Sequence, residues 1–184
     1  QRAQPHAELA ILNAGSAVLF EKQRQLFEDR GASIGIPEAI VAAAKQQGAN
    51  RIVMVLRHRA EADFLFARAG TFADGGKLEG LGFYLDGNMK VDSFDDASGK
   101  RIASGTGFIA PYAYIEVIIA DIASLRVMGR RAITASRVVG SGQPGQEIDQ
   151  PWNALSSADK VRHVNQIIER EVGKATLELV TALK

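Results

Sequence analysis

The stretch Pro111-Tyr112-Ala113-Tyr114-Ile115-Glu116-Val117-Ile118-Ile119-Ala120-Asp121 decides how the rest of the chain is read. It is rich in β-branched and aromatic side chains, which suit a pleated surface. Alternation puts Ala113, Ile115, Val117 and Ile119 on one face, and Tyr112, Tyr114, Glu116 and Ile118 on the other. Asp121-Ile122-Ala123-Ser124 turns the chain, and Val127 to Val139 returns as a strand carrying Arg131 and Arg137 on one face. Two long strands with so short a connection predict an antiparallel hairpin.

Upstream, Ile36-Pro37-Glu38 opens a helix. Proline is tolerated in the first helical turn, Glu38 complements the positive end of the helix dipole, and Gly48 supplies the left-handed stop. Ile36, Ile40, Val41 and Ala44 line its apolar face. Ile52-Val53-Met54-Val55-Leu56 follows without alternation, which predicts a central strand buried on both faces. Leu9 to Leu12 reads as a short first strand, and 17–30 is open between a strand over 17–23 and a helix ending at Gly31. Phe64-Leu65-Phe66 suits an edge strand and Thr71 to Lys77 a loop. Leu81 to Leu85 is a strand, Asp86-Gly87-Asn88 a hairpin turn, Met89 to Phe94 its return, and Asp95 to Lys100 a solvated turn.

Downstream, Gly140 to Pro151 is too rich in Gly and Pro for regular structure. Ser156-Ser157-Ala158-Asp159 then caps a long helix. Val161, Val164, Ile168, Val172, Ala175 and Leu179 form its apolar stripe, and Gly173 weakens its middle. The expected architecture is α/β (α+β): a mixed, mainly antiparallel sheet of five to seven strands with helices packed on one face. In domain terms this gives a sheet domain over 1–139, a linker over 140–151, and a C-terminal helix over 152–184 packing back on the same domain.

Composition narrows the function. The 184 residues contain no Cys, so disulfide scaffolds, thiolate zinc sites, iron–sulfur clusters, thiol nucleophiles and Cys-linked lipids are excluded. Basic and acidic residues number 22 and 21, so no bulk charge attracts nucleic acid. No apolar run approaches the roughly 20 residues of a membrane span, so no integral membrane segment is expected. The chain starts at Gln1, which suits a processed or trimmed chain whose signal peptide would lie upstream.

Catalytic and metal signals are thin. Asp86, Asn88, Asp92, Asp95 and Asp96 miss the calcium-loop spacing, and the 3 His are scattered. Gly75, Gly76, Gly80, Gly82 and Gly87 lack the Gly-Lys-Ser/Thr ending of a phosphate loop and mark turns and close backbone approach. No Gly-x-Ser-x-Gly elbow presents a serine. Accordingly no catalytic residue, metal ligand or cofactor is expected. Arg126, Arg130, Arg131 and Arg137 make a basic stripe without aromatic interleaving, which suits a solvated sheet edge. Tyr112, Tyr114, Arg131, Arg137 and Trp152 are the candidate binding residues, since aromatics and arginines concentrate in interface cores.

Three segments carry a resemblance: Ala44-Lys45-Gln46-Gln47-Gly48-Ala49-Asn50 leading into Arg51 to Val55, Pro111-Tyr112-Ala113-Tyr114-Ile115 running to Asp121, and Pro151-Trp152-Asn153-Ala154-Leu155. Their order resembles small secreted α/β proteins of the bacterial envelope. More loosely, it is similar to the periplasmic domains of curli-secretion and penicillin-binding-protein-activator lipoproteins. The resemblance implies a non-enzymatic periplasmic or secreted protein that binds an envelope protein partner, or a further copy of itself as a homo-oligomer. A cytoplasmic location is the alternative. Two other functions stay open. Leu56-Arg57-His58 resembles the strand end of histidine phosphatases, although Arg59 stands where they carry Gly, and implies a phosphate-ester hydrolase using Arg57 and His58. A small-ligand binder with a pocket near Phe83 and Tyr84 is the other.

Overall fold

A computed structural model describes residues 28–29, 34–66, 70–94, 101–141 and 151–182 of the chain. The strand expected over Leu9 to Leu12, the open segment 17–27, the turn at Asp95 to Lys100 and linker residues 142–150 lie outside the described residues. In chain order the strands are β1 (Glu28–Asp29), β2 (Ile34–Gly35), β3 (Arg51–Arg57), β4 (Arg59–Phe66), β5 (Gly70–Phe94), β6 (Arg101–Asp121), β7 (Val127–Ser136) and β8 (Gly140–Ser141). The helices are α1 (Glu38–Gln46) and α2 (Ser157–Ala182), with a 3-10 turn at Pro151–Ala154. The fold is α+β: an antiparallel sheet of five long strands, β3 to β7, extended by β8, and two helices. The chain forms two compact units, Gln1–Arg57 with Glu116–Ala132 and Gly173–Lys184, and His58–Ile115 with Ile133–Val172.

In the first unit α1 starts where expected. The Pro37 carbonyl accepts the N–H groups of Ile40 and Val41, and Gly48, at φ +69°, donates to the Lys45 carbonyl. Ile36, Met54, Ile118 and Ala120 form the buried core, with Ile40, Val41, Ile52 and Leu56 packed against it. β3 is bonded to β6 but is not buried on both faces. Val53 and Val55 are 45% and 42% exposed, so only the Met54 side of the apolar run is covered. An unbroken apolar run reports hydrophobicity, and a second covering layer must exist before both faces are buried. The β6–β7 hairpin closes as predicted, with the Asp121 N–H donating to the Arg126 carbonyl and Leu125 in the left-handed region at φ 55°. The Asp121 carboxylate accepts the Ser124 N–H and hydroxyl, which holds its pKa below the usual carboxylate range.

The second unit orders its strands β6-β5-β4. Its core is Ala62, Phe64, Phe108 and Ala110, ringed by Leu78, Tyr84, Met89 and Val138. Phe64, Tyr84 and Phe108 lie within 4.4–5.8 Å of one another by ring centroid, a spacing that suits aromatic contact. β5 corrects two expectations. Thr71 to Lys77 is strand paired with β4, and Met89 to Phe94 continues the strand instead of returning. The Asp86-Gly87-Asn88 turn signal is spent locally: the Asp86 carboxylate accepts the N–H groups of Asn88 and Met89, and the register slips between Asp86 and Lys90. A bulge absorbs the extra residues without reversing the chain.

β6 likewise begins at Arg101 and runs straight through Pro111. Proline has no N–H for a ladder. Here it lies opposite the break between β7 and β8, where Arg137 donates to the Pro111 carbonyl and Val139 to the Ile109 carbonyl. Burial in β6 extends over both of the faces that the alternation predicts. Ala113, Tyr114, Ile115, Val117, Ile118, Ile119 and Ala120 are all at most 3% exposed, whichever face they occupy. Of the stripe expected on α2, Ala175 is buried but Val161 is 61% exposed, and the nearest buried apolar side chain on the helix is Ile167. Ser156 caps α2 as predicted, its hydroxyl accepting the Asp159 N–H and donating to the Asp159 carboxylate. The bond from the Ser156 hydroxyl, more than the nearby Arg162, lowers the Asp159 pKa.

Two glycines should respond oppositely to alanine. Gly107 sits at φ +86°, where an added Cβ would meet the Asp86 carbonyl oxygen at 3.1 Å, whereas at Gly173 a Cβ meets nothing within 4 Å. Gly107→Ala should cost about 1–2 kcal/mol in urea unfolding, and Gly173→Ala should add roughly 0.5–1 kcal/mol by removing a helical glycine.

Candidate functional site

Of the five candidate residues, Tyr114 is closed off by the fold. It is 0% exposed, and its hydroxyl accepts the Asp63 N–H at 2.9 Å beside the irregularity between Glu61 and Asp63 in β4. The Ser136 hydroxyl donates to the Asp63 carbonyl, so side chains satisfy both main-chain groups of Asp63. Tyr114 is therefore a structural strut that offers no surface to a partner. Tyr112 stands edge-on to it at 5.9 Å and packs over Gly82, where a Cβ would lie 2.8 Å from the Tyr112 hydroxyl. That close approach explains the glycine.

Arg131 is exposed and pairs with Glu178 at 3.5 Å within the first unit. In the same unit Arg130 faces Glu116 at 3.8 Å. Two members of the expected basic stripe thus have carboxylate neighbours, and the exposed Arg131–Glu178 pair contributes little stability. Arg137, in the second unit, lines a cleft with Pro111, Val139, His163, Gln166 and Arg170.

Trp152 is the most prominent of the five. It sits on the 3-10 turn, 46% exposed, with its ring edge-to-face against Phe83 at 5.5 Å. Lys160, itself only 9% exposed, places its ammonium 3.9 Å from the indole centroid, a cation–π contact. The indole is thereby held between two partners with nearly half its surface in solvent. Phe83 shares a strand face with Leu81 and Leu85, which are 45% and 43% exposed. Leu81, Phe83, Leu85 and Trp152 thus bring apolar surface to one strand face and the adjoining turn.

The sequence points to a strand over 81–85 and to a ligand pocket near Phe83 and Tyr84, but not to an exposed apolar face. The odd-numbered alternation Leu81, Phe83, Leu85 was its only signal. Tyr84 points to the opposite face, into the cluster with Phe64 and Phe108, so Phe83 and Tyr84 do not line one pocket. His58 is half-buried, and its main-chain N–H donates to the Tyr114 carbonyl. A histidine beside two arginines does occur, but it is His163 with Arg137 and Arg170. Among the described residues no group of three or more His, Asp or Glu could hold a metal ion, and no helix is long and apolar enough to cross a membrane.

Burial raises the pKa of the Tyr114 phenol, and burial with the nearby Glu79 charge raises that of Tyr112. Phenols raised in the folded state contribute stability that is intact below the unfolded value of about 10 and is lost as pH climbs past it. The urea midpoint should therefore fall progressively above about pH 10. Tyr114→Phe should remove part of that alkaline loss while costing about 1–3 kcal/mol at neutral pH, because it strands the Asp63 N–H. Urea titrations at pH 7 to 11 measure both effects. Comparison with known proteins finds no family model, no curated protein and no solved structure that matches this chain.

Proposed function

We propose that this chain is a non-enzymatic binding protein of the bacterial envelope, periplasmic or secreted, that docks a protein partner through Leu81, Phe83, Leu85 and Trp152. The observation that carries the reading is the posture of Trp152, clamped by Phe83 and Lys160 yet 46% exposed. A large aromatic ring held rigid before binding loses little conformational entropy when a partner covers it. Tryptophan is also the residue type most often dominant in binding energy, and contiguous apolar exposure marks interaction surfaces. The location is supported by the resemblance to envelope proteins.

The test places a photo-cross-linking amino acid at position 85 and, as a control, at the exposed Lys174, in cells producing the full chain. Position 85 should yield a discrete cross-linked product that position 174 does not, and Trp152→Ala should weaken that complex by about 2 kcal/mol, roughly 30-fold. A product containing two copies of this chain would identify the partner as the chain itself. No product at position 85, or the same product from both positions, sinks the proposal.

A further inference from the structure

The break between β7 and β8 shapes a second feature that the docking patch does not use. Pro111 leaves β6 without one ladder donor, and across from it residues 137–139 run outside regular strand. The cleft there has a volume of about 320 Å³ and is lined by Pro111, Val139 and Ile167 on its apolar side and by Arg137, His163, Gln166 and Arg170 on its polar side. The α2 contributors recur at steps of three, one and three, which is one face of a helix. A volume of this order lies at the small end of the range for small-molecule sites.

The chemistry of the lining is one-sided. Two arginines, a histidine and a glutamine border the cleft, and no carboxylate is among the lining residues, although Glu171 pairs with Arg170 and Asp159 interacts with His163 from outside it. Arginine cannot shed its charge, so two guanidinium groups bordering one cavity favour an anion there. Arg170 is oriented from outside the cleft, its Nε donating to the Glu171 carboxylate at 2.6 Å. That contact uses one of five guanidinium donors, and the remaining fork suits an oxyanion.

We infer that this cleft is a phosphate-binding site, which takes inorganic phosphate or the phosphate group of a small phosphate monoester. A tetrahedral dianion accepts from both guanidinium forks, from the His163 ring N–H and from the Gln166 amide. The apolar side at Val139 and Ile167 leaves room for a short carbon skeleton esterified to it. The site is independent of the docking patch, with which it shares no residue.

The experiment is a titration of the full chain with inorganic phosphate, followed by the nitrogen–proton NMR signals of His163 and of the arginine side chains at constant ionic strength. Glycerol phosphate and acetate are titrated in parallel. Saturable shifts with a Kd below about 1 mM are expected. Arg137→Gln and Arg170→Gln should each raise it about 10-fold or more, as expected for the loss of a charge-assisted hydrogen bond. Arg162→Gln, on the same helix but outside the cleft, should leave it unchanged, as should Leu85→Asp in the docking patch. Tighter binding of glycerol phosphate identifies the ester as the ligand, and equal or weaker binding identifies the free anion. Shifts that stay linear to about 10 mM overturn the assignment. So does acetate binding as tightly as phosphate, or an Arg162→Gln effect equal to that of Arg137→Gln.

Discussion

Everything described here hangs on the burial of β6. From Phe108 to Ala120 this strand is interrupted by only two partly exposed residues, Tyr112 and Glu116, and it supplies side chains to both compact units. A strand covered on both faces removes each large side chain from water, at about 1.5–3 kcal/mol apiece for Val, Ile and Phe. The same burial demands that every main-chain group find a partner. Proline in such a strand is tolerable only where the neighbouring ladder is already interrupted. Pro111 and the β7–β8 break are therefore one feature, and the cleft beside α2 is its consequence.

Burial also explains why Tyr114 became a strut. A phenol inside a core must hydrogen-bond, and the irregular turn of β4 at Asp63 supplies a main-chain N–H at the right place. Tyr112, two residues away, shares its strand face but is only partly buried, with its ring over Gly82. Two tyrosines with the same local pattern thus end in different roles.

The polar and apolar features divide between different elements. The apolar patch belongs to β5 and the 3-10 turn, where Phe83 and Lys160 hold Trp152 in a single posture. The cationic lining belongs to residue 137 and one face of α2, although the chain as a whole is nearly neutral at +1. Net charge is a sum over the chain, whereas a ligand responds to the few groups within a Debye length of it. A protein can be neutral overall and still present two guanidinium groups to one small cavity.

Local patterns alone determined a good part of this protein. Pro37 and Gly48 delimited α1, Ser156 and Asp159 started α2, and the hairpin at Asp121 to Arg126 followed from two strand patterns with a short connection. Each depends on hydrogen bonds between residues close in sequence, so residue type suffices to read it. Trp152 and Arg137 were also legible as candidates, because an aromatic and an arginine outside a core pattern stand out. The tertiary structure alone decided which apolar positions were covered. It left Val53 and Val55 in solvent, buried Tyr114, turned the Asp86-Gly87-Asn88 signal into a bulge and exposed Leu81 and Leu85 beside Trp152. It also gathered His163, Gln166 and Arg170 opposite Arg137. Whether a side chain is buried, or which charge it faces, depends on elements dozens of residues away. Periodicity names a face, and only packing says what lies against it.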